Sequence, residues 1–248
     1  MNKSTFVVYT AIANGYDSLK PILPLWRDEA VFVAFMDKPQ AVPGWEIRPL
    51  HNVFKDPCRN AKIHKILPHK YFPEAEYSLW IDGSVRLKSK LPLRDWVDQY
   101  LSEHDLALHK HWCRNCVYEE GAACLHFKWD SPTVIHRQMG KYFSEGYPSQ
   151  NGLAECGMIF RRHTHAIEQL NELWWKEITE GSRRDQLSIN YSCHKLGVKY
   201  AYFPGTILDT PHFHWLQHTT PRSRPTRTAR VKSKNAPRKQ RKILAKAK

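Results

Sequence analysis

The sequence predicts an α/β domain built on a mostly parallel sheet, and three observations support that class. Short β-branched, apolar runs recur along residues 1–215 and end in turn-forming residues. Amphipathic segments with helical spacing separate several of these runs. The runs are nearly continuous in apolar residues, which is typical of strands that helices cover on both faces. A chain of 248 residues is long enough to bury one such core.

Seven runs have the length and composition of strands. They are residues 5–12, 30–36, 46–50, Tyr77–Ile81, 105–109, 157–160 and 198–203. Three further segments carry apolar residues on one helical face. They are residues 95–103, 165–178 and 185–196. Gly197 follows the last of these segments, where a glycine commonly ends a helix.

The basic character of the chain lies in one terminal segment. The formal net charge is +14, and twelve of the 38 Lys and Arg residues lie in 219–248, which contains no Asp or Glu. Residues 1–218 therefore carry 26 basic against 24 acidic side chains. We predict one folded domain over 1–218 and a disordered basic tail over 219–248, because the tail has too few apolar residues to form a core.

The composition gives a general indication of the compartment and the binding partners. No apolar stretch reaches the eighteen or so residues of a membrane span, and the first residues do not match a secretory leader. We expect a cytoplasmic protein, with the tail available to anionic membrane surfaces or nucleic acid as an alternative mode of action. The six cysteines are expected to be reduced, and the lone CxxC at 113–116 lacks a second pair for zinc.

The strongest local signal is the sequence Asp82-Gly83-Ser84, directly after the strand Tyr77–Ile81. Ligands of open α/β sheets bind at the carboxyl ends of the strands. A carboxylate there is typical of a divalent cation that also holds substrate phosphates, although a simple Asp-Gly turn is the alternative.

Two other segments are candidates for an anionic, nucleotide-like ligand. One follows the first strand and comprises Asn14, Tyr16 and Asp17, which are equally compatible with a base and ribose site and with an ordinary turn. The other is the row Arg59, Lys62 and Lys65, which recurs every third residue on one helix face. Such a row is usually a solvated surface, but here it closely precedes the Asp82 strand.

In combination, these segments resemble a glycosyltransferase-like family once catalogued as a domain of unknown function, which includes plant mucilage-related hexosyltransferase-like proteins. The matching pieces span about residues 5–215 in order. They read NGYD, DPCRNAKIHK, YSLWIDGS, HKHWCRNCVYEE, GLAECGMIFRRH, WWKEI and RRDQLS. The resemblance implies a single GT-A-like, Rossmann-like domain that transfers a hexose from a nucleotide sugar to a glycan or another hydroxyl acceptor.

The resemblance also implies a divalent cation, Mn²⁺ or Mg²⁺, at a D-x-D motif. Asp82 matches the first position of that motif, whereas Ser84 stands at the third. In several GT-A families a late histidine completes the metal shell, and His212 or His214 resembles it in position. A His-x-His pair on a strand would direct both rings to one face. The alternative is a pair of surface histidines before the tail.

Glycosyl transfer requires a group that accepts the proton of the acceptor hydroxyl and groups that stabilise the departing diphosphate. Asp185 and Glu155 are the candidate catalytic carboxylates, although Asp185 is also compatible with an ordinary helix N-terminus. The resemblance places Gln186 beside donor or acceptor. An acceptor-facing loop is predicted from aromatic, imidazole and charged side chains that suit sugar rings and hydroxyls. Its members are His109, His111, Trp112, Arg114 and Glu119, the last with its neighbour Glu120. The histidines, Trp112 and Arg114 are equally compatible with packing in the core and at its rim.

Overall fold

The computed structural model describes residues 5–88, 92–216 and 218. Within them the chain forms nine strands. In chain order they are β1 Phe6–Ile12, β2 Val31–Met36, β3 Glu46–Pro49, β4 Tyr77–Ile81, β5 Val85–Leu87, β6 Leu106–Lys110, β7 Ala154–Arg162, β8 Ala201–Tyr202 and β9 Phe213–Trp215. The predicted α/β class is confirmed. The basic segment 219–248, for which disorder is predicted, lies outside the described residues.

Seven of these strands form one mixed sheet in the order β3-β2-β1-β4-β7-β6-β8. β7 runs antiparallel to both of its neighbours, and the other four pairs are parallel. The predicted mostly parallel sheet is therefore confirmed, with one reversed strand that the apolar runs did not indicate. β5, which directly follows the Asp82-Gly83-Ser84 turn, forms a separate antiparallel pair with β9.

Seven α-helices connect the strands in the described part of the chain. They are α1 Pro57–Ile66, α2 Pro68–Tyr71, α3 Leu93–Tyr100, α4 Val117–His126, α5 Pro132–Ser144, α6 His165–Glu180 and α7 Ile189–Leu196. α3, α6 and α7 match predicted segments, although the third segment begins as a short 3-10 helix, Asp185–Leu187. α4 and α5 were not predicted. None of the described helices is long and apolar enough to cross a membrane.

The sheet is covered on both faces, which explains its nearly continuous apolar strands. Tyr9 of β1 belongs to a core that includes Trp174 of α6, whereas Val8 belongs to a second core that includes Trp96 of α3. Each of these side chains is essentially inaccessible to solvent. Successive β1 residues therefore pack into opposite cores, as the period of a strand requires.

α1 carries the basic row into the space beside β1 and β4. The carboxylate of Asp56 accepts a hydrogen bond from the Cys58 amide at 3.0 Å and caps the helix, and Pro57 occupies its first position. The Tyr9 hydroxyl donates to the Lys65 carbonyl at 3.0 Å. These contacts fix the rotation of α1 relative to the sheet and hence the direction of its lysines.

Candidate functional site

The lysine–aspartate cluster, comprising Lys62, Lys65, Asp82 and Asp185, lies at the carboxyl end of β4. Lys65 Nζ lies 3.1 Å from Asp82 Oδ1 and 2.7 Å from Asp185 Oδ2. Lys62 Nζ lies 2.8 Å from the same Asp185 oxygen. The Trp80 indole donates a hydrogen bond of 2.7 Å to Asp82 Oδ1. Two predicted donor-binding lysines therefore meet both predicted aspartates in one network, in which Asp82 is the partly exposed member.

The charges in the lysine–aspartate cluster hold each other ionised. Burial opposes ionisation of Asp185, but the Lys62 and Lys65 ammonium groups outweigh it and keep the pKa of Asp185 well below its usual range. Burial likewise opposes the charge on Lys65, but the carboxylates of Asp185 and Asp82 raise the pKa of Lys65 above its usual value. Asp185 and Lys65 are therefore both ionised at neutral pH.

Arg59 does not join this cluster, although it belongs to the same predicted row. Its guanidinium donates to the carbonyls of Ile178 and Gly181, at 3.0–3.4 Å, and pairs with Asp56 at 3.3 Å. A three-residue spacing falls short of a full helical turn, so the direction of the side chain rotates along the row. Arg59 consequently faces the end of α6 rather than Asp82.

The glutamate cluster, comprising His111, Arg114, Glu120 and Glu155, lies beside the first. Arg114 Nε donates to Glu120 Oε2 at 2.6 Å. His111 Nε2 lies 3.4 Å from Glu155 Oε1 and 3.5 Å from Glu120 Oε2. Both carboxylates are buried, and the Glu120 side chain is fully enclosed. His111, Arg114 and Glu155 are thereby brought together as predicted site residues.

The tautomer of His111 follows from its surroundings. The amides of Cys113 and Arg114 donate to His111 Nδ1 at 3.3 and 3.1 Å. Burial, with the nearby Arg114 and Arg184 charges, lowers the pKa of His111 to about 3, so the ring is neutral at physiological pH. Its proton therefore sits on Nε2 and faces the two carboxylates. Arg114 Nη2, 3.3 Å from that nitrogen, makes no hydrogen bond to it in this tautomer.

Glu155 is held close to its titration midpoint at neutral pH. Burial raises the pKa of Glu155 to about 7, and the negative charges of Glu120 and Asp185 act in the same direction. The Gln186 side chain, which donates to Glu155 Oε2 at 3.1 Å, and Arg184 oppose that shift. A carboxylate with this pKa is suited to accept a proton near pH 7.

Three consecutive residues, Arg184 to Gln186, connect the two clusters. Arg184 lies 3.5 Å from Glu120, Asp185 pairs with both lysines, and Gln186 donates to Glu155. Arg184 also stacks over the Trp129 ring at 4.6 Å. Arg184 was not predicted as a site residue. The signal that indicates it is its position next to the predicted Asp185-Gln186 pair.

The predicted acceptor loop is divided in the structure. His109 is buried against the Phe203 ring and its Nε2 lies 3.3 Å from the Thr210 hydroxyl, in the core rather than beside His111. Trp112 lies at the surface with its ring parallel to His111. Glu119 is exposed and accepts a hydrogen bond from Gln150. The neighbouring Glu120 is the one that enters the cluster.

The turn after β1 contacts the Asp82-Gly83-Ser84 turn and the last described residues. A Cβ at Gly83 would lie 2.8 Å from Asp17 Cβ, so glycine permits this approach. Asp17 pairs with His218 at 2.8 Å, and the Tyr16 ring packs on His218 with centroids 4.6 Å apart. The Asn14 backbone N–H donates to Asp37 Oδ2 at 2.5 Å.

The histidines predicted as metal ligands occupy different surroundings. His212 precedes β9, is buried against Trp96, and its Nε2 lies 2.7 Å from the Tyr100 hydroxyl. His214 lies within β9 and is exposed, paired in register with Arg86. The two rings therefore lie in different environments, since His212 is buried and His214 is exposed. The late histidine that contacts a predicted donor residue is His218.

The residues around Asp82 do not fit a divalent cation. Among the described residues, no three His, Cys, Asp or Glu side chains converge as a metal site. Asp82 Oδ1 already accepts from Trp80 and pairs with the Lys65 ammonium. The Ser84 hydroxyl, which stands where a second carboxylate is expected, accepts from the Trp215 indole at 2.9 Å. Of the side chains that the structure describes, the cation paired with Asp82 is the chain's own Lys65.

A protein-family model described as "TOD1/MUCI70, glycosyltransferase-like domain" matches residues 1–205 of this chain. The chain belongs to this family. This match confirms the sequence resemblance. It covers the strands and helices that carry the residues of the two clusters. The glycosyltransferase-like class of the TOD1/MUCI70 domain is thus established, whereas its donor and acceptor are not defined by family membership.

Two curated relatives of this TOD1/MUCI70 domain come from Arabidopsis thaliana. The "Probable hexosyltransferase MUCI70" is 27% identical over 82% of this chain and 39% of the relative. The "Alkaline ceramidase TOD1" is 24% identical over 77% of this chain and 48% of the relative. The chain therefore spans less than half the length of either relative, and the two relatives carry names from different reaction classes.

Two solved glycosyltransferase structures are similar to this chain at low identity. One is a glycosyltransferase involved in glycosylation of the major capsid of PBCV-1, with a TM-score of 0.40, 11% identity, and coverage of 80% and 81% of the two chains. The other is core-mannan synthase A (CmsA/Ktr4) from Aspergillus fumigatus in its Mn/GDP form, with a TM-score of 0.45, 6% identity, and coverage of 77% and 70%.

Proposed function

We propose that this domain transfers a hexose from a nucleotide-sugar donor to a hydroxyl group of a glycan or related acceptor. The observation that carries the proposal is that two consecutive residues join the two clusters. Asp185 pairs with the Lys62 and Lys65 ammonium groups, and Gln186 donates to Glu155, whose pKa is about 7. The hexose follows the name of the MUCI70 relative, and the transferase class follows the family.

Each cluster supports one requirement of glycosyl transfer. Departure of a nucleoside diphosphate leaves negative charge on its terminal phosphate, and Lys62 and Lys65 supply fixed positive charge that stabilises it. Asp82 and Asp185 hold the two ammonium groups in position. The reaction is assigned without a divalent cation, because the contacts of Asp82 and Ser84 do not fit one.

The second requirement is removal of a proton from the acceptor hydroxyl, which we assign to Glu155. His111 Nε2 lies 3.4 Å from one of its oxygens, on a ring whose tautomer the Cys113 and Arg114 amides fix. Gln186 donates to the other oxygen. These contacts orient the carboxylate while leaving its pKa near neutrality. Trp112, exposed and parallel to His111, is assigned to the acceptor side.

A donor screen tests the proposal directly. We expect one of the UDP-, GDP- or CDP-hexoses to raise the melting temperature of the full chain and to be slowly hydrolysed in the absence of an acceptor. Glu155→Gln should retain the thermal shift and lose hydrolysis. A chain that shifts with none of these donors but cleaves a fluorescent ceramide would refute the transferase assignment and support the activity named for the TOD1 relative.

A further inference from the structure

We propose that the Lys65 ammonium is the resident cation of this site and takes the place of a divalent metal ion between the carboxylates and the donor diphosphate. The inference rests on the proposed function, since it concerns how the same site holds a nucleotide sugar. It makes binding of the diphosphate independent of added metal. It also assigns Lys65, rather than a late histidine, as the essential partner of Asp82.

The position of Lys65 is that of a bound cation. Its Nζ lies between two carboxylates, 3.1 Å from Asp82 Oδ1 and 2.7 Å from Asp185 Oδ2, and its side chain is only 5% exposed. The Trp80 indole donates to the same Asp82 oxygen, and its ring lies 5.3 Å from the ammonium. Charge-assisted bonds on two sides and an aromatic ring on a third hold the ammonium in place.

The local charge disfavours a second cation. Two carboxylates are balanced by two ammonium groups, Lys62 and Lys65, in direct contact. A divalent ion on Asp82 would lie within a few ångström of Lys65 Nζ, where the two like charges repel. Ser84 contributes no compensating charge, and its hydroxyl accepts from Trp215. Binding of a metal ion would therefore require displacement of the lysine.

A diphosphate suits the same arrangement without metal. An ammonium group has three N–H donors, of which Asp82 and Asp185 use two on Lys65. Asp185 uses one on Lys62, whose side chain is 13% exposed. This leaves one donor on Lys65 and two on Lys62 for an incoming anion, and lysine is a common phosphate ligand. The cluster therefore has capacity for phosphate oxygens while both aspartates stay paired.

A titration with Mn²⁺ alone tests the assignment without any nucleotide. Electron paramagnetic resonance of the full chain should detect no protein-bound Mn²⁺ whose binding requires Asp82. Lys65→Met removes the ammonium and frees Asp82 to coordinate, while Asp185 stays paired with Lys62. It should tighten Mn²⁺ binding by about tenfold or more. The matched control is Lys70→Met, since Lys70 is an exposed lysine paired with Glu172, and it should leave Mn²⁺ binding unchanged.

Two results of this titration would overturn the assignment. One is Mn²⁺ binding by the wild-type chain that Asp82→Asn abolishes. The other is a folded Lys65→Met variant, verified by circular dichroism, with no gain in Mn²⁺ binding. If Lys65→Met does not fold, Mn²⁺ binding by the wild-type chain and by Asp82→Asn still tests whether Asp82 holds a metal ion.

Calorimetry on the wild-type chain gives a second measurement, with UDP, GDP and CDP as probes. The dissociation constant of the nucleotide that binds should agree within about threefold between EDTA and Mn²⁺ buffers, because Lys62 and Lys65 supply the charge. Weakening of about tenfold or more in EDTA overturns the assignment. Absence of binding by all three in both buffers counts against the proposed function instead, and the Mn²⁺ titration then decides the role of Lys65.

Discussion

The lysine–aspartate cluster and the glutamate cluster contain the same chemical group, a buried carboxyl, in opposite electrostatic settings. Asp185 touches two ammonium groups and has a pKa far below its usual range. Glu155 faces a neutral histidine and an amide, near other carboxylates, and has a pKa of about 7. Burial opposes ionisation in both, so the immediate partners decide the outcome.

This difference assigns separate tasks to the two clusters. Carboxylates that are always ionised are suited to fix cations in position, whereas a carboxyl near its midpoint at neutral pH is suited to exchange a proton. The residues from Arg184 to Gln186 contact both clusters and keep the tasks adjacent. Four predictions test whether the clusters are distinct in this way.

The largest expected effect concerns proton transfer by Glu155. Glu155→Gln keeps the size and hydrogen-bonding capacity of the side chain but removes its basic form. We expect turnover of the nucleotide sugar to fall by about a hundredfold to ten-thousandfold, with the donor-induced thermal shift retained. Glu172→Gln, at an exposed ion pair, is the matched control and should retain turnover. Turnover within a few-fold of wild type in Glu155→Gln would remove Glu155 from the mechanism.

The next effect concerns stability and the pairing of charges. Asp185→Asn preserves shape but removes the carboxylate shared by Lys62 and Lys65. We expect the free energy of unfolding to fall by about 3–5 kcal/mol, because an uncompensated buried charge remains. In urea unfolding, the exposed Glu172→Gln control should lose less than about 1 kcal/mol. Equal losses in the two variants would show that the lysine–aspartate cluster is not tightly coupled.

The pH dependence of stability separates the clusters further. Glu155 has a pKa raised from 4.5 to about 7 on folding, so its protonated form contributes stability that is complete below 4.5 and is lost as the pH rises through 7. Across this window the stability of wild type should fall relative to Glu155→Gln by at most about 1.4 kcal/mol per pH unit. Urea unfolding at several pH values measures the difference. A constant difference across the window would contradict the raised pKa.

The smallest effects compare two positions of one helix. Lys62→Ala should weaken nucleoside diphosphate binding by about tenfold, through loss of a charged hydrogen bond. Arg59→Ala should leave that affinity unchanged but lower the free energy of unfolding by about 1–2 kcal/mol, since its guanidinium bonds the Ile178 and Gly181 carbonyls. Calorimetry and urea unfolding of both variants provide the measurements. If Lys62→Ala and Arg59→Ala weakened nucleotide binding equally, Arg59 would belong to the donor site as the sequence predicted.

The pattern of apolar residues predicted strand bounds best for the central strands, which are buried on both faces of the sheet. The strand Tyr77–Ile81 has the bounds that its apolar run predicts, and β1 and β2 differ from prediction by one residue. α4 was missed because Gly121 and its small neighbours interrupt an apolar stripe. In the structure, a Cβ at Gly121 would lie 2.9 Å from Met139 Sδ of α5, so close helix packing explains the glycine. A packing contact between two helices cannot be predicted from the local sequence pattern of one of them.

The candidate residues show the same division. Glu120 was preferred no more than Glu119, because two adjacent acidic residues have the same local pattern until one side of α4 becomes buried. His109 and His111 share a strand and its extension but enter different surroundings. The reversal of β7 was likewise not indicated, since an apolar run carries no direction. Burial of a face and direction of a strand are set by packing partners.

The sequence by itself determined the α/β class, the glycosyltransferase-like family, the strand-end Asp82 and the presence of lysines on the preceding helix. Tertiary structure alone decided which charges meet. Lys65 pairs with Asp185 across a long stretch of chain, whereas within the described residues Glu155 has no ammonium group paired with it. Protonation depends on distances through space and on exclusion of water, and both quantities arise only when segments remote in sequence pack together.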